Sequence, residues 1–101
     1  MRPIDVTRLA EFDTKRHKKI ELFKCPAFNA VQICFEAGQK ISPHVEPYAV
    51  LFYVMDGAGI ITTDDGSWTV NPGDMIFAQK DAVRGIAAKT RMRILGIQEP
   101  H

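Results

Sequence analysis

His44 and Glu46 stand two residues apart, a spacing that puts both side chains on one face of an extended strand. An imidazole and a carboxylate on a shared face can act as a catalytic acid–base pair. They can also supply two of the three or four protein ligands that Zn, Fe, Mn or Ni commonly takes. Other combinations lead away from chemistry. Ser42 and Ser67 lack a Gly-x-Ser-x-Gly context, and Cys25 and Cys34 have neither a CxxC spacing nor a partner base marked by sequence. The two cysteines are expected to be free thiols in the core. Gly57-Ala58-Gly59 lacks the third glycine and following helix of a dinucleotide loop and reads as a turn. Asp64-Asp65, beside Gly66, reads as a hairpin tip rather than a carboxylate pair. Lys15-Arg16-His17-Lys18-Lys19 has no interleaved aromatics, so it reads as a solvated segment before the first long strand. Nothing in the sequence brings His17 or His101 to the pair at 44 and 46.

The elements that must position these groups are short strands. Ile20 to Cys25, Ala30 to Glu36, Val50 to Met55, Gly59 to Thr63, Trp68 to Val70, Met75 to Ala78, Val83 to Ala87 and Met92 to Ile97 are rich in β-branched and aromatic residues. Turn-forming residues separate them: Pro26, Ala37-Gly38, Asp56-Gly57, Asp64-Asp65-Gly66 and Asn71-Pro72-Gly73-Asp74. Asp65-Gly66 predicts a tight hairpin, and Asp74 is expected to order the Pro-Gly turn by accepting backbone N–H bonds. Thr7 to Phe12 is expected to form one helical turn, with Thr7 as N-cap and Leu9 as its apolar anchor. Many strands at short spacing, without helical periodicity, predict an all-β sandwich or closed barrel. The chain divides into an N-terminal arm, 1–19, and a barrel, 20–101. A length of 101 residues makes one domain. A net charge of +1 gives no field to recruit nucleic acid or an anionic membrane. The N-terminus has no apolar run behind a basic cluster, and the longest apolar run, Ala49 to Met55, is too short to span a bilayer as a helix. Cytoplasm is the expected location.

The spacing around His44 resembles a two-part family signature. Gly38 is followed after five residues by His44-Val45-Glu46, then by Val50, and after six more by Gly57. A second block runs Gly73, Gln79, Asp81 and Arg84. This is similar to the cupin superfamily, whose first block reads Gly, five residues, His-x-His, three or four residues, Glu, six residues, Gly. Its second block reads Gly, five residues, Pro-x-Gly, two residues, His. On that frame His44 keeps the first metal ligand, while Glu46 stands at the second His, Val50 at the Glu and Arg84 at the last His. Gln79 stands where Pro is usual, Asp81 where Gly is usual and Ala88 where Asn is usual. The resemblance implies a small single-domain, RmlC-like jelly roll (a double-stranded β-helix) with a degenerate metal motif. It also implies a homodimer, and a cavity lined by Val50, Phe52 and Val54, with Leu51, Tyr53 and Met55 on the opposite face.

Val50 has no donor atom, and the guanidinium of Arg84 has no lone pair and repels a divalent ion. A tightly bound metal is therefore not expected. A weak site for Fe, Mn, Ni or Zn would rest on His44, Glu46 and water. The leading expectation is a barrel that binds a small organic molecule, an anion among the candidates, through His44, Glu46 and Arg84 against the apolar wall. In this reading Arg84 pairs with Glu46 or with the ligand. The opposing reading turns the Arg84 head to solvent and leaves His44 as a barrel-mouth histidine. Two other functions compete: an enzyme with His44 and Glu46 as catalytic groups (a metal-independent isomerase or lyase, or a weakly metallated dioxygenase), and a structural or partner subunit with a vestigial cavity. Tyr48 and Trp68 are expected in core or interface positions.

Overall fold

Alternation along the chain builds two facing layers. In Val50–Asp56, Val50, Phe52 and Val54 are buried while Leu51, Tyr53 and Met55 are not, the period-two pattern of a strand with one face on a core. A computed structural model describes all 101 residues, with nine strands: β1 Lys18–Lys24, β2 Asn29–Phe35, β3 Lys40–Val45, β4 Val50–Asp56, β5 Gly59–Thr63, β6 Gly66–Val70, β7 Met75–Ala78, β8 Val83–Ala88 and β9 Met92–Gln98. One sheet runs β1-β2-β9-β4-β7 and the other β3-β8-β5-β6, with every pairing antiparallel. The fold is an all-β jelly roll. No helix is long and apolar enough to cross a membrane.

The inner faces meet in a core that includes Val31, Ile33 and Phe35 from β2, Val50, Phe52 and Val54 from β4 and Ile94 from β9, packed against Ile61 and Ile86 of the facing sheet. Burial of such side chains stabilises by about 1.5–3 kcal/mol each. The hairpin falls at Asp64-Asp65, because Thr63 pairs with Gly66, and Gly66 carries the positive φ of 135°. Asp64 Oδ1 accepts from the Val83 N–H at 2.9 Å, tying the tip to β8. Asp74 Oδ2 accepts from the Asn71 N–H at 2.7 Å and closes the Pro-Gly turn.

Four expectations need correction. β3 is absent from the series of apolar segments because it is an exposed strand carrying Ser42, Pro43 and His44. The first strand starts at Lys18 and ends at Lys24, so it takes the last two residues of the arm and releases Cys25. The N-terminal turn forms earlier than Thr7: the Leu9 N–H donates to Asp5 O at 3.2 Å, and Asp5 Oδ1 accepts from the Arg8 N–H at 3.1 Å. Asp5 thus takes the capping role given to Thr7, and Leu9 is 45% exposed rather than an anchor. Both cysteines are free, but only Cys34 is buried.

The arm lies across the outer face of β2. Gln32 Nε2 donates to Val6 O at 2.7 Å and Gln39 Nε2 to Asp13 O at 2.6 Å. Arg93 joins them, bonding Asp56 Oδ2 at 2.6 Å, Gln32 Oε1 at 3.2 Å and Thr7 Oγ1 at 3.3 Å. Those bonds explain why β2 is buried on both faces, Gln32 included. Burial also pushes the Cys34 thiol above its ordinary pKa.

Candidate binding site

A cavity of about 230 Å³ opens between the sheets at the His44 end of the barrel. Its apolar wall is Ile33, Ile41, Val50, Phe52 and Ile86, and its polar groups include His44, Glu46, Tyr48 and Arg84. Val54 is not part of it. Although it shares a face with Val50 and Phe52, it lies farther along β4, is 1% exposed and packs in the core.

Register explains how the polar groups converge. His44 pairs with Arg84 across β3 and β8, and antiparallel partners project their side chains from the same face. The β3–β8 register shifts between Ile41 and His44, at Ser42-Pro43. There the backbone crowds Gly85: a Cβ on Gly85 would lie 2.9 Å from the Pro43 nitrogen. Glycine at 85 therefore lets β3 close over β8 and set His44 opposite Arg84. Glu46 lies just past the end of β3, and Glu46 O accepts from the Asp81 N–H at 2.9 Å. Asp81, at the position where cupins favour glycine, holds a left-handed φ of 64°.

His44 Nδ1 lies 3.0 Å from Ser42 O, a contact that makes Nδ1 the protonated nitrogen. Nε2 faces Glu46 Oε1 at 3.6 Å, and the side chains are 43% and 33% exposed. An open pair of this kind contributes at most about 1 kcal/mol.

Arg84 is the unusual member. It is only 3% exposed, so its head does not turn to solvent. Nor does it pair with Glu46, whose carboxylate lies 3.6 Å from His44 Nε2. Its Nη2 donates to Gln79 O at 2.9 Å, and Nη2 and Nε both reach Ala82 O at 3.3 Å. Nη1 is buried without any partner. The guanidinium carbon sits 5.1 Å from the centre of the Tyr48 ring, a cation–π contact. Burial, and then the Glu46 carboxylate, push Tyr48 above its ordinary pKa against the opposing pull of Arg84.

The structure also brings in residues that lie outside the sequence motif. Tyr48 belongs to the cavity, and His101 stacks on its ring at 3.8 Å with an interplanar angle of 6°. His17 and Lys19, from the charge run, line the mouth. His17 stacks on Phe35 at 5.6 Å, and Lys19 pairs with Ile33 across β1 and β2. Desolvation, then Arg16, hold His17 below its ordinary pKa of 6.5. The alternation Lys19, Ile20, Glu21, Leu22 sets Lys19 and Glu21 on one face and Ile20 and Leu22 on the other, but does not mark which face meets the cavity. No comparable signal marks His101, because a ring stack between residues 48 and 101 depends on the folded path. Trp68 is 42% exposed on β6, away from the cavity.

Two antiparallel sheets closed over an apolar cup, with polar groups gathered at one end, define a jelly-roll barrel of the single-domain class. The cupin domain family matches residues 31–97, and the chain belongs to that family. Among solved structures, an RmlC-like cupin from Desulfovibrio desulfuricans is 23% identical, with a TM-score of 0.89 over 99% of this chain and 97% of its own. A protein from Thermus thermophilus is 21% identical, with a TM-score of 0.92 over 99% and 98% of the two chains. KdgF from a Halomonas species is 19% identical, with a TM-score of 0.85 over 97% and 92%. At these identities the likeness is one of fold. No curated protein matches the sequence.

Proposed function

We propose that this cupin is a binding module that holds a small organic molecule in its barrel without a tightly bound metal. The observation that carries this reading is the cavity itself: about 230 Å³, with a five-residue apolar wall and His44, Glu46 and Arg84 brought to one end. A few convergent polar groups in an apolar concavity are the usual features of a small-ligand site. An open cavity of this size supports binding over a vestigial, side-chain-filled barrel.

The residues present do not fit the metal that cupins commonly carry. Of the four motif positions, His44 and Glu46 offer donors, Val50 offers none, and Arg84 brings a buried positive charge. No group of three or more His, Cys, Asp or Glu side chains is placed to hold an ion. Ligand recognition is therefore assigned to His44, Glu46 and Arg84, with Val50 and Phe52 as the wall. A second reading, acid–base catalysis by His44 and Glu46, draws support from their 3.6 Å contact and the protonated Nδ1 of His44.

Two measurements test the proposal. In an NMR screen of small organic compounds, binders are expected to shift the amides of Val50, Phe52 and Ile86. A screen in which cavity resonances never move would refute binding. Elemental analysis after exposure to Fe, Mn, Ni and Zn is expected to find substoichiometric metal. Stoichiometric metal that His44→Ala abolishes would refute the metal-free reading.

A further inference from the structure

Arg84 narrows the chemistry of the ligand, a step that rests on the binding function proposed for the same cavity. A guanidinium carries five N–H donors and no acceptor. Here Nε and Nη2 are engaged by the carbonyls of Ala82 and Gln79, while the two hydrogens on Nη1 have no acceptor. The residue is only 3% exposed, and no carboxylate of the protein pairs with it. A buried donor pair next to an apolar wall is satisfied when a ligand brings both the acceptor and the negative charge.

Charge and size narrow the choice further. The ionic groups lining the cavity are Arg84 and Lys19, both cationic, and Glu46, anionic. Burial, and then Arg16, favour the neutral form of His17. The sum is close to one positive charge, which a monoanion neutralises. A second negative charge on the ligand would meet the Glu46 carboxylate. A dry apolar cavity of about 150 Å³ accommodates benzene. The 230 Å³ available here therefore holds a six-membered ring or branched chain plus one carboxylate, and is too small for a sugar nucleotide.

We propose that the cavity takes a small monocarboxylate with an apolar body, its carboxylate accepting from Arg84 Nη1 and its body packed on Val50, Phe52 and Ile86. The π face of Tyr48 covers the guanidinium, so the carboxylate displaces that ring as it seats. Tyr48 thereby becomes a positioning residue, held in its covering pose by the His101 stack.

Benzoate and its neutral isostere benzamide serve as probes, with phthalate as the dianion, each titrated into the wild-type protein by NMR and calorimetry. Benzoate is expected to bind at least about tenfold more tightly than either analogue, and to shift the Tyr48 ring resonances. Arg84→Met is expected to lose that preference. Equal binding of benzoate and benzamide by the wild-type protein would overturn the carboxylate assignment and leave the binding module intact. So would a preference for phthalate, or benzoate affinity unchanged in Arg84→Met. The wild-type comparison of charged and neutral probes decides the matter even if the variant fails to fold. If neither these probes nor any other small organic compound moves the cavity resonances, the binding reading itself falls.

Discussion

Replacing Arg84 by methionine should make this protein more stable, the reverse of the usual outcome at a buried position. The side chain is 3% exposed and has no carboxylate partner, so folding removes a full charge from water at a cost of several kcal/mol. Against that stand one good charge-assisted hydrogen bond, to Gln79 O at 2.9 Å, and a shared, longer pair to Ala82 O at 3.3 Å. At about 1.5–3 kcal/mol for a hydrogen bond to a charged group, these recover roughly 3–5 kcal/mol. The Tyr48 face adds about 1–2 kcal/mol. Cost and recovery nearly cancel. Methionine removes both and adds apolar burial of about 1.5–3 kcal/mol, less about 1 kcal/mol for the carbonyl left at Ala82. The net expectation is a gain of about 0.5–2 kcal/mol. In a domain of this length that raises Tm by about 2–10 °C, measured by circular dichroism in ligand-free buffer. A fall in Tm of more than about 5 °C, with the native spectrum retained, would refute the reasoning and make Arg84 a structural keystone.

Asp81→Gly should raise the urea midpoint by an amount equivalent to about 1 kcal/mol, because glycine adopts the φ of 64° without the strain aspartate carries. An unchanged or lower midpoint would mean the Asp81 side chain compensates that strain. His17 predicts the acid limb of stability. Its folded pKa lies below 6.5, so the unfolded chain takes up the proton first. The contribution is complete above about pH 6.5 and is lost as pH falls through the folded value. His17→Phe should therefore flatten the stability profile below about pH 6.5, and a profile identical to wild type would sink the assignment. Finally, Tyr53, Met75 and Phe77 are 38%, 61% and 53% exposed on the outer face of β4 and the edge strand β7. An exposed apolar band of this kind is expected to pack on a second copy of the chain. Light scattering should find a dimer that Phe77→Glu converts to monomer; a monomeric wild type would refute it.

Much of the fold is legible in the sequence because its signals are local. Alternation in Val50–Asp56, the Asp64-Asp65-Gly66 tip and the Asn71–Asp74 turn each report on their own few residues. β3 is less legible, since an exposed strand needs no apolar pattern and its bulge at Ser42-Pro43 becomes intelligible only beside Gly85. The site is legible in part. Motif spacing marks His44, Glu46, Val50 and Arg84, but the partner each finds depends on three-dimensional reach. Glu46 meets His44 rather than Arg84, and Arg84 turns to the carbonyls of its own preceding loop. His17 and His101 arrive from opposite ends of the chain through ring stacking, for which sequence has no periodic sign.

The two glutamine amides that hold the arm against β2 have a consequence of their own. Gln32 and Gln39 both grip main-chain carbonyls, at Val6 and Asp13, and not side chains. A latch of that kind is blind to the identity of the residues it fastens. At Val6 and Asp13 related chains can therefore exchange the arm's side chain and keep the bond, whereas Thr7 and Phe12, which Arg93 and Arg91 contact through their side chains, are held by identity. At those two points the burden of conservation passes from the residue that is held to the amide that holds it, so relatives should retain an amide at both glutamine positions while the residues at 6 and 13 diverge.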